Sequence, residues 1–254
     1  MGFFDLFGSR ETRERNQLRK LAQKITQKYG PPENRQKVIE QLGGMGTSAA
    51  LRVLCLRFTT RIDVGIQDDE EKERVRQILT AAGSAAVEPV KAFLRQQESG
   101  VALGLRVLAA LVPPEEVVAT VLELLRTLGG EYTRDPEKKL TLLTWLQEHP
   151  DLLAAAPPAG PTPEASLLPL LEDSTDDVRI AAARTLARAP LAEAARDGLI
   201  GLLLRDRDNA RVRGEVLEAL AANGADVKGH RPSVEALLVE PFFLDKEGRV
   251  KRRG

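Results

Sequence analysis

The pattern of apolar and polar positions is helical along most of the chain and repeats itself in the second half. Apolar residues recur three or four positions apart, and Gly or Pro separates one such segment from the next. The segment 176–186 returns as 210–220, so that Val178 corresponds to Val212 at an offset of 34 residues. A helical pattern with this period predicts stacked helix pairs, each of which buries its apolar face against its neighbours.

The Gly and Pro residues that interrupt the pattern predict a succession of short helices and one hairpin. A charged helix from about Ser9 to Tyr29 ends at Gly30-Pro31-Pro32, and the next ends at Gly43-Gly44. The segment Thr59 to Gln67 allows a short extended excursion, and Phe242 to Val250 favours a small hairpin. The other predicted helices are 47–60, from about 68 to 82, from Ser84 to about 98, 101–111, 114–128, 137–148, 164–172, 175–189, 191–205, 209–222 and 233–240.

Four prolines close together divide the predicted helices into two blocks. Residues 154–163 contain Pro157, Pro158, Pro161 and Pro163, which cannot continue a helix, so this segment predicts a stiff linker. The predicted organisation is therefore an apolar N-terminal segment, a helical-repeat block, the Pro/Ala-rich linker, a second repeat block and a basic tail, covering 1–8, 9–153, 154–163, 164–240 and 241–254.

Residues 176–188 resemble the second helix of a HEAT repeat, in which Asp-x-Val-Arg is followed by Ala and then Leu on successive turns. Here these positions are Val178, Arg179, Ala182 and Leu186. The resemblance implies an all-α fold, a right-handed α-solenoid of HEAT-like helix pairs, and it implies a ladder of charged side chains along the stack. Its candidate members are Asp177, Arg179 and Arg213. The segment 131–139 is similar to one found in bacterial HEAT-repeat proteins of unassigned function.

Composition and charge narrow the class of protein. Hydrophobic residues make up 43% and charged residues 29%, which is typical of a folded protein. The 37 basic and 37 acidic side chains cancel, so there is no bulk attraction to nucleic acid or to an anionic membrane. Cys55 is the single cysteine and lies between Leu54 and Leu56, so we expect a core residue in a reducing compartment. With no apolar span and no signal peptide in the sequence, we expect a cytoplasmic protein.

The residues needed for catalysis are sparse. His149 and His230 are the two histidines and lie far apart, each beside a helix breaker, so no metal site is expected. His149 is instead expected at a helix end, in contact with main-chain carbonyls. Gly43-Gly44-Met45-Gly46 lacks the Gly-Lys-Ser/Thr ending of a phosphate loop and follows a helix rather than a strand. We therefore expect no enzyme activity and no cofactor.

The N-terminal segment offers a first candidate surface. Between Arg10 and Lys37 there are nine basic and three acidic residues, a net charge of +6, directly after an aromatic cluster. In one interpretation the cluster caps the first helix pair; in the other it docks on a membrane surface or in a partner groove. The candidate residues are Phe3, Phe4, Leu6 and Phe7.

Two basic sets near the C-terminus are further candidates. The tail contains Lys251, Arg252 and Arg253 and is interpreted either as solvated or as a binder of phosphate or an acidic partner. In HEAT repeats the second helices line the concave face, which makes Arg184 and Arg188 candidates for binding, with Glu218 one repeat after Arg184. Nucleic acid is disfavoured because residues 164–254 contain 15 basic and 16 acidic side chains.

Together these features predict a non-catalytic scaffold or adaptor that binds another protein through the curved surface of a HEAT-like solenoid. An accessory subunit of an enzyme, similar to a bilin lyase, is the first alternative, and an absorbance shift with a linear tetrapyrrole would reveal it. The second alternative is a HEAT-like protein that binds DNA or another anionic surface, which low-salt filter binding would test. The sequence leaves the identity of the protein partner open.

Overall fold

The computed structural model describes residues 3–155, 160–189 and 192–253, with the backbone alone for residues 3–10. This part of the chain forms fourteen α-helices and one two-stranded sheet, so the predicted all-α class is confirmed. The helices group into two compact units, Met1–Pro113 and Pro114–Gly254.

The N-terminal unit consists of two layers of helices. Helices α1, α3 and α5 pack in succession in one layer, and α2, α4 and α6 do so in the other. Short 3₁₀ turns at Leu56–Thr59 and Gly83–Ala86 extend the first layer. The six helices are α1 Phe3–Ile25, α2 Pro32–Met45, α3 Ser48–Cys55, α4 Gly65–Ala81, α5 Val87–Gln96 and α6 Val101–Leu111.

Helices α1 and α2 of this unit have bounds that differ from the prediction. Helix α1 begins at Phe3 rather than Ser9 and ends at Ile25 rather than Tyr29. Helix α2 runs through the glycine pair and ends at Met45, and the next residue, Gly46, adopts the left-handed conformation. Tertiary packing explains the continuation, because a Cβ atom at Gly43 would lie 2.9 Å from Ile78 Cγ2 of α4. Gly43 thus allows two helices to approach closely instead of ending one of them.

The loop between α3 and α4 was expected to allow an extended excursion. In the described chain, residues 60–64 form no strand. Ile62 is buried there, and its main-chain N–H faces Asp68 Oδ1 at 3.4 Å.

The C-terminal unit repeats the two-layer arrangement. One layer contains α7, α10, α12 and α14, and the other contains α8, α11, α13 and the hairpin. A 3₁₀ turn at Leu168–Glu172 follows α10, and α9 packs on both α7 and α8. The elements are α7 Pro114–Leu128, α8 Glu137–Glu148, α9 Pro150–Ala154, α10 Pro163–Leu167, α11 Asp176–Leu186, α12 Glu193–Arg205, α13 Ala210–Ala222, α14 Arg231–Glu235, β1 Phe242–Leu244 and β2 Val250–Arg252.

The predicted hairpin is confirmed and closes one layer of this unit. Strands β1 and β2 pair antiparallel, with Phe243 opposite Lys251, and β2 packs against α13. Gly248 supplies the positive φ that the turn requires, and its N–H donates to the Asp245 carbonyl. The preceding helix is shorter than predicted, since α14 ends at Glu235.

The predicted linker at 154–163 falls within the C-terminal unit. Helix α9 ends at Ala154 and α10 begins at Pro163, and residues 156–159 lie outside the described residues. The division of the chain at residues 154–163 therefore stays a prediction.

Residues one period apart occupy equivalent environments. Val178 and Val212 are both fully buried, and so are Ala182 and its counterpart Val216. Hydrogen bonds also join residues 34 positions apart, as from Gln147 Nε2 to the Ala181 carbonyl at 3.0 Å. In the N-terminal unit, where the sequence signature is missing, Arg74 Nε donates to Glu40 Oε1 across the same separation, at 2.6 Å. The structural period therefore extends beyond the recognisable sequence repeat.

Candidate interaction surface

A row of ion pairs covers the outer side of one layer in the C-terminal unit. Each pair joins one element of the layer to the next, from α11 to α13 and from α13 to β2. We call these six residues the paired face: Asp177 with Arg211 at 2.5 Å, Arg184 with Glu215 at 2.8 Å, and Glu218 with Arg252 at 3.2 Å.

Helical spacing places these side chains on the outside. Arg211, Glu215 and Glu218 recur along α13 on the side opposite its buried residues, among them Val212 and Val216. Asn209 fixes the start of the helix, because its side chain accepts a hydrogen bond from the Val212 N–H.

The charges of the paired face are matched and remain in contact with solvent. The hydrogen bonds from Arg184 hold the pKa of Glu215 below its usual value, although partial burial opposes this shift. The Arg184 side chain is 53% exposed and that of Arg252 is 58% exposed. Exposed pairs of this kind typically contribute about 0–1 kcal/mol each, so they can open when another charged group competes.

A family comparison identifies this part of the molecule. Residues 164–250, from α10 to the first residue of β2, match the family model described as HEAT repeats. Residues 164–250 of the chain thus contain HEAT repeats. A search of curated proteins found no match. No solved structure matched either.

Two candidate members of the charge ladder, Asp177 and Arg179, form ion pairs with residues of the next helix pair. Asp177 binds Arg211, whereas Arg179 pairs with Asp176 and faces Asp206 at 2.9 Å. Asp177 lies on the outer side of α11, while Arg179 is largely covered near the helix start.

Arg179 and Arg213 each make an equivalent hydrogen bond to a main-chain carbonyl. The Arg179 guanidinium donates to the Asp173 carbonyl at 2.6 Å, and that of Arg213 donates to the Arg207 carbonyl at 2.6 Å. Both acceptors lie six residues upstream and one period apart. These arginines therefore hold the loop before each second helix.

The remaining predicted site residues lie at several places. Arg188 is exposed on the turn that follows α11, and Lys251 lines a polar groove with Arg196 and Asp226. Arg253 lies over the Phe243 ring at 5.7 Å. Phe3, Phe4, Leu6 and Phe7 belong to α1, and their side chains lie outside the described residues.

Sequence reasoning missed a buried network in the N-terminal unit. Glu71 accepts hydrogen bonds from Arg35 at 2.9 Å and from Arg57 at 2.7 Å, and Arg57 also donates to Asp68 at 2.6 Å. Burial by itself would raise the pKa of Asp68, but hydrogen bonds from Lys72 and Arg57 outweigh it and lower that pKa. The available signal was Arg57 itself, which stands within the apolar run from Leu54 to Phe58.

A second buried pair supports a loop of the C-terminal unit. Lys139 Nζ lies 2.6 Å from Asp173 Oδ2 and also donates to the Glu131 carbonyl at 2.7 Å, and both side chains are almost fully buried. The loop 129–136 is thereby fixed to the next helix pair, with Tyr132 exposed on it.

Cys55 and His149, whose side chains are of reactive types, are engaged in packing or in contacts with neighbouring residues. Burial raises the pKa of the Cys55 thiol to about 12, so the thiolate does not form near neutral pH. His149 Nδ1 lies 2.7 Å from the Trp145 carbonyl, and the two rings stack at 4.2 Å. Among the described residues, no three His, Cys, Asp or Glu side chains are grouped so as to hold a metal ion. Within the same residues, each helix is too short or too polar to cross a membrane.

Proposed function

We propose that this HEAT-repeat protein is a non-catalytic cytoplasmic scaffold or adaptor, and that it binds another protein through the paired face. The observation that carries the proposal is the continuity of this face over α11, α13 and β2, within the segment that matches HEAT repeats. HEAT repeats typically mediate protein interactions and are generally non-catalytic. A single buried cysteine suits a reducing compartment.

The charge pattern favours a protein as the partner. Each arginine of the paired face already faces a carboxylate, so the face offers no row of uncompensated positive charge to a phosphate backbone. A protein surface with charges of both signs can match such a face, which favours specificity and correct orientation.

The energetics are compatible with exchange of partners. Because exposed ion pairs contribute little to stability, a partner's carboxylate or guanidinium can replace one member of a pair at small cost. The neighbouring pair then stays closed, and the register between α11 and α13 is kept by the buried residues Val178, Val216 and Leu220.

The test is capture of the native partner by the full chain and by charge-reversed variants. We expect the double variant Arg184→Glu/Glu218→Lys to recover at least tenfold less of the proteins that the wild type enriches from a native cell extract, measured by quantitative mass spectrometry. The reversed charges repel both the partner and the remaining residues of the pairs.

Arg126→Glu is the matched control. Arg126 is 53% exposed, as Arg184 is, and it pairs with Glu123, but it lies on α7 in the other layer of the same unit. Unchanged recovery by this variant supports the proposal. Unchanged recovery by the double variant would show that the paired face is not the binding surface.

A further inference from the structure

Helix α1 has two parts with different surroundings. Leu18, Leu21 and Ile25 are buried and fix the C-terminal half of the helix to the N-terminal unit. All seven residues from 11 to 17 are exposed. Residues 11–17 therefore contribute no side chain to the core of the unit.

The sequence of the core-facing stripe explains why packing stops at Leu18. One and two turns before Leu18, the stripe carries Glu14 and Glu11 instead of apolar side chains. Both line an open groove of about 670 Å³ between α1 and α3, and Arg15 and Arg52 line the same groove. Closing this groove would remove two carboxylates and two guanidinium groups from water, which is costly, so residues 11–17 stay exposed.

The exposed part of α1 continues into the aromatic cluster. At a rise of about 1.5 Å per residue, residues 3–7 lie roughly 16–22 Å along the axis from Leu18. Four of these five residues are large and apolar. Behind them, residues 11–25 carry five basic and two acidic side chains, and all of these are exposed; the basic ones are Arg13, Arg15, Arg19, Lys20 and Lys24.

We infer that α1 attaches the protein to an anionic phospholipid surface. Aromatic and aliphatic residues followed by Lys and Arg on one helix are typical of helices that lie in the interface of a membrane. Each Lys or Arg close to an anionic leaflet strengthens binding by about fivefold at moderate salt. The excess of exposed basic residues favours such a surface over an apolar protein groove. The residues of this surface belong to the N-terminal unit, whereas those of the paired face belong to the C-terminal unit.

Vesicle flotation of the full chain tests the inference. We expect the wild type to float with vesicles of phosphatidylcholine and phosphatidylglycerol, to remain at the bottom with phosphatidylcholine alone, and to be released by high salt. Phe3→Ser/Phe4→Ser/Phe7→Ser should reduce the floated fraction at least tenfold, and Arg19→Gln/Lys20→Gln should weaken binding about tenfold or more. Leu18, Leu21 and Ile25 are unchanged in both variants, so the helical circular dichroism should stay the same.

The matched control removes two positive charges from the basic C-terminal tail. Lys251→Gln/Arg253→Gln should float like the wild type. Flotation lost in this variant, but kept in the Phe variant, would assign binding to the tail and overturn the inference. A wild type that does not float with anionic vesicles, or that floats equally with neutral ones, would overturn it as well.

Discussion

At the scale of the residue, Gly100 shows how one backbone position sets the approach of two helix pairs. It precedes α6 with a φ of +75°, and a Cβ atom there would lie 2.7 Å from the Phe58 carbonyl oxygen. Any other residue would strain the backbone and press against the main chain of the 3₁₀ turn that follows α3.

Replacement of this glycine should therefore destabilise the protein. We expect Gly100→Ala to lower the free energy of unfolding by about 2–4 kcal/mol, through the left-handed φ and the steric contact. Gly214→Ala is the control, because Gly214 lies within α13 with nothing within 4 Å of its Cβ position. That variant should gain about 0.5–1 kcal/mol. Urea denaturation followed by circular dichroism measures both, and equal effects would refute the explanation.

Single residues also show what the sequence could and could not predict. The burial of Val178 and Val212 and the helix-end position of His149 follow from local pattern. The burial of Arg57 does not, because a charged side chain in an apolar run becomes acceptable only when distant residues supply its partners. Those partners, Glu71 and Asp68, lie 14 and 11 residues further along the chain.

At the scale of the element, two ion pairs join the same two helices in opposite surroundings. Glu71 of α4 binds Arg35 of α2 with both side chains at least 96% buried, and it binds Arg57 of the adjacent 3₁₀ turn. Arg74 of α4 binds Glu40 of α2 with both side chains about half exposed. The buried pair loses solvation that its partners must replace, whereas the exposed pair does not.

Neutralising one carboxylate of each pair shows how much the buried pair and the exposed pair each contribute to the free energy of unfolding. Glu71→Gln leaves two buried guanidinium groups short of negative charge, and we expect a loss of about 3–5 kcal/mol in the free energy of unfolding. Glu40→Gln changes the same charge between the same helices and should have a small fraction of that effect. Urea denaturation compares the two variants, and similar midpoints would mean that the buried network does not stabilise the unit.

Helix boundaries depend on contacts that the sequence does not display. Helix α6 begins and ends as predicted, because Gly100 and Pro113 lie beside its ends. Helix α2 passes its predicted end since Gly43 faces Ile78 of another helix. Helix α1 begins in a segment whose apolar residues indicated a separate region.

At the scale of the whole molecule, the period of 34 residues links the sequence to the candidate surface. The HEAT pattern made Arg184 and Glu218 candidates, and the structure places both in one row of charged side chains. Their pairing with Glu215 and Arg252 could not be predicted, because pairing across elements depends on the register of α13 and the hairpin. In the N-terminal unit the period survives in contacts such as Thr60 to Thr26, although the sequence signature is missing.

Amide hydrogen exchange of the full chain, alone and with the captured partner, tests binding through the paired face most directly. The account predicts slower exchange in α11, α13 and β2 on binding, with α12 in the opposite layer unchanged. Slower exchange confined to α12, or no change in either layer of the C-terminal unit, would contradict it.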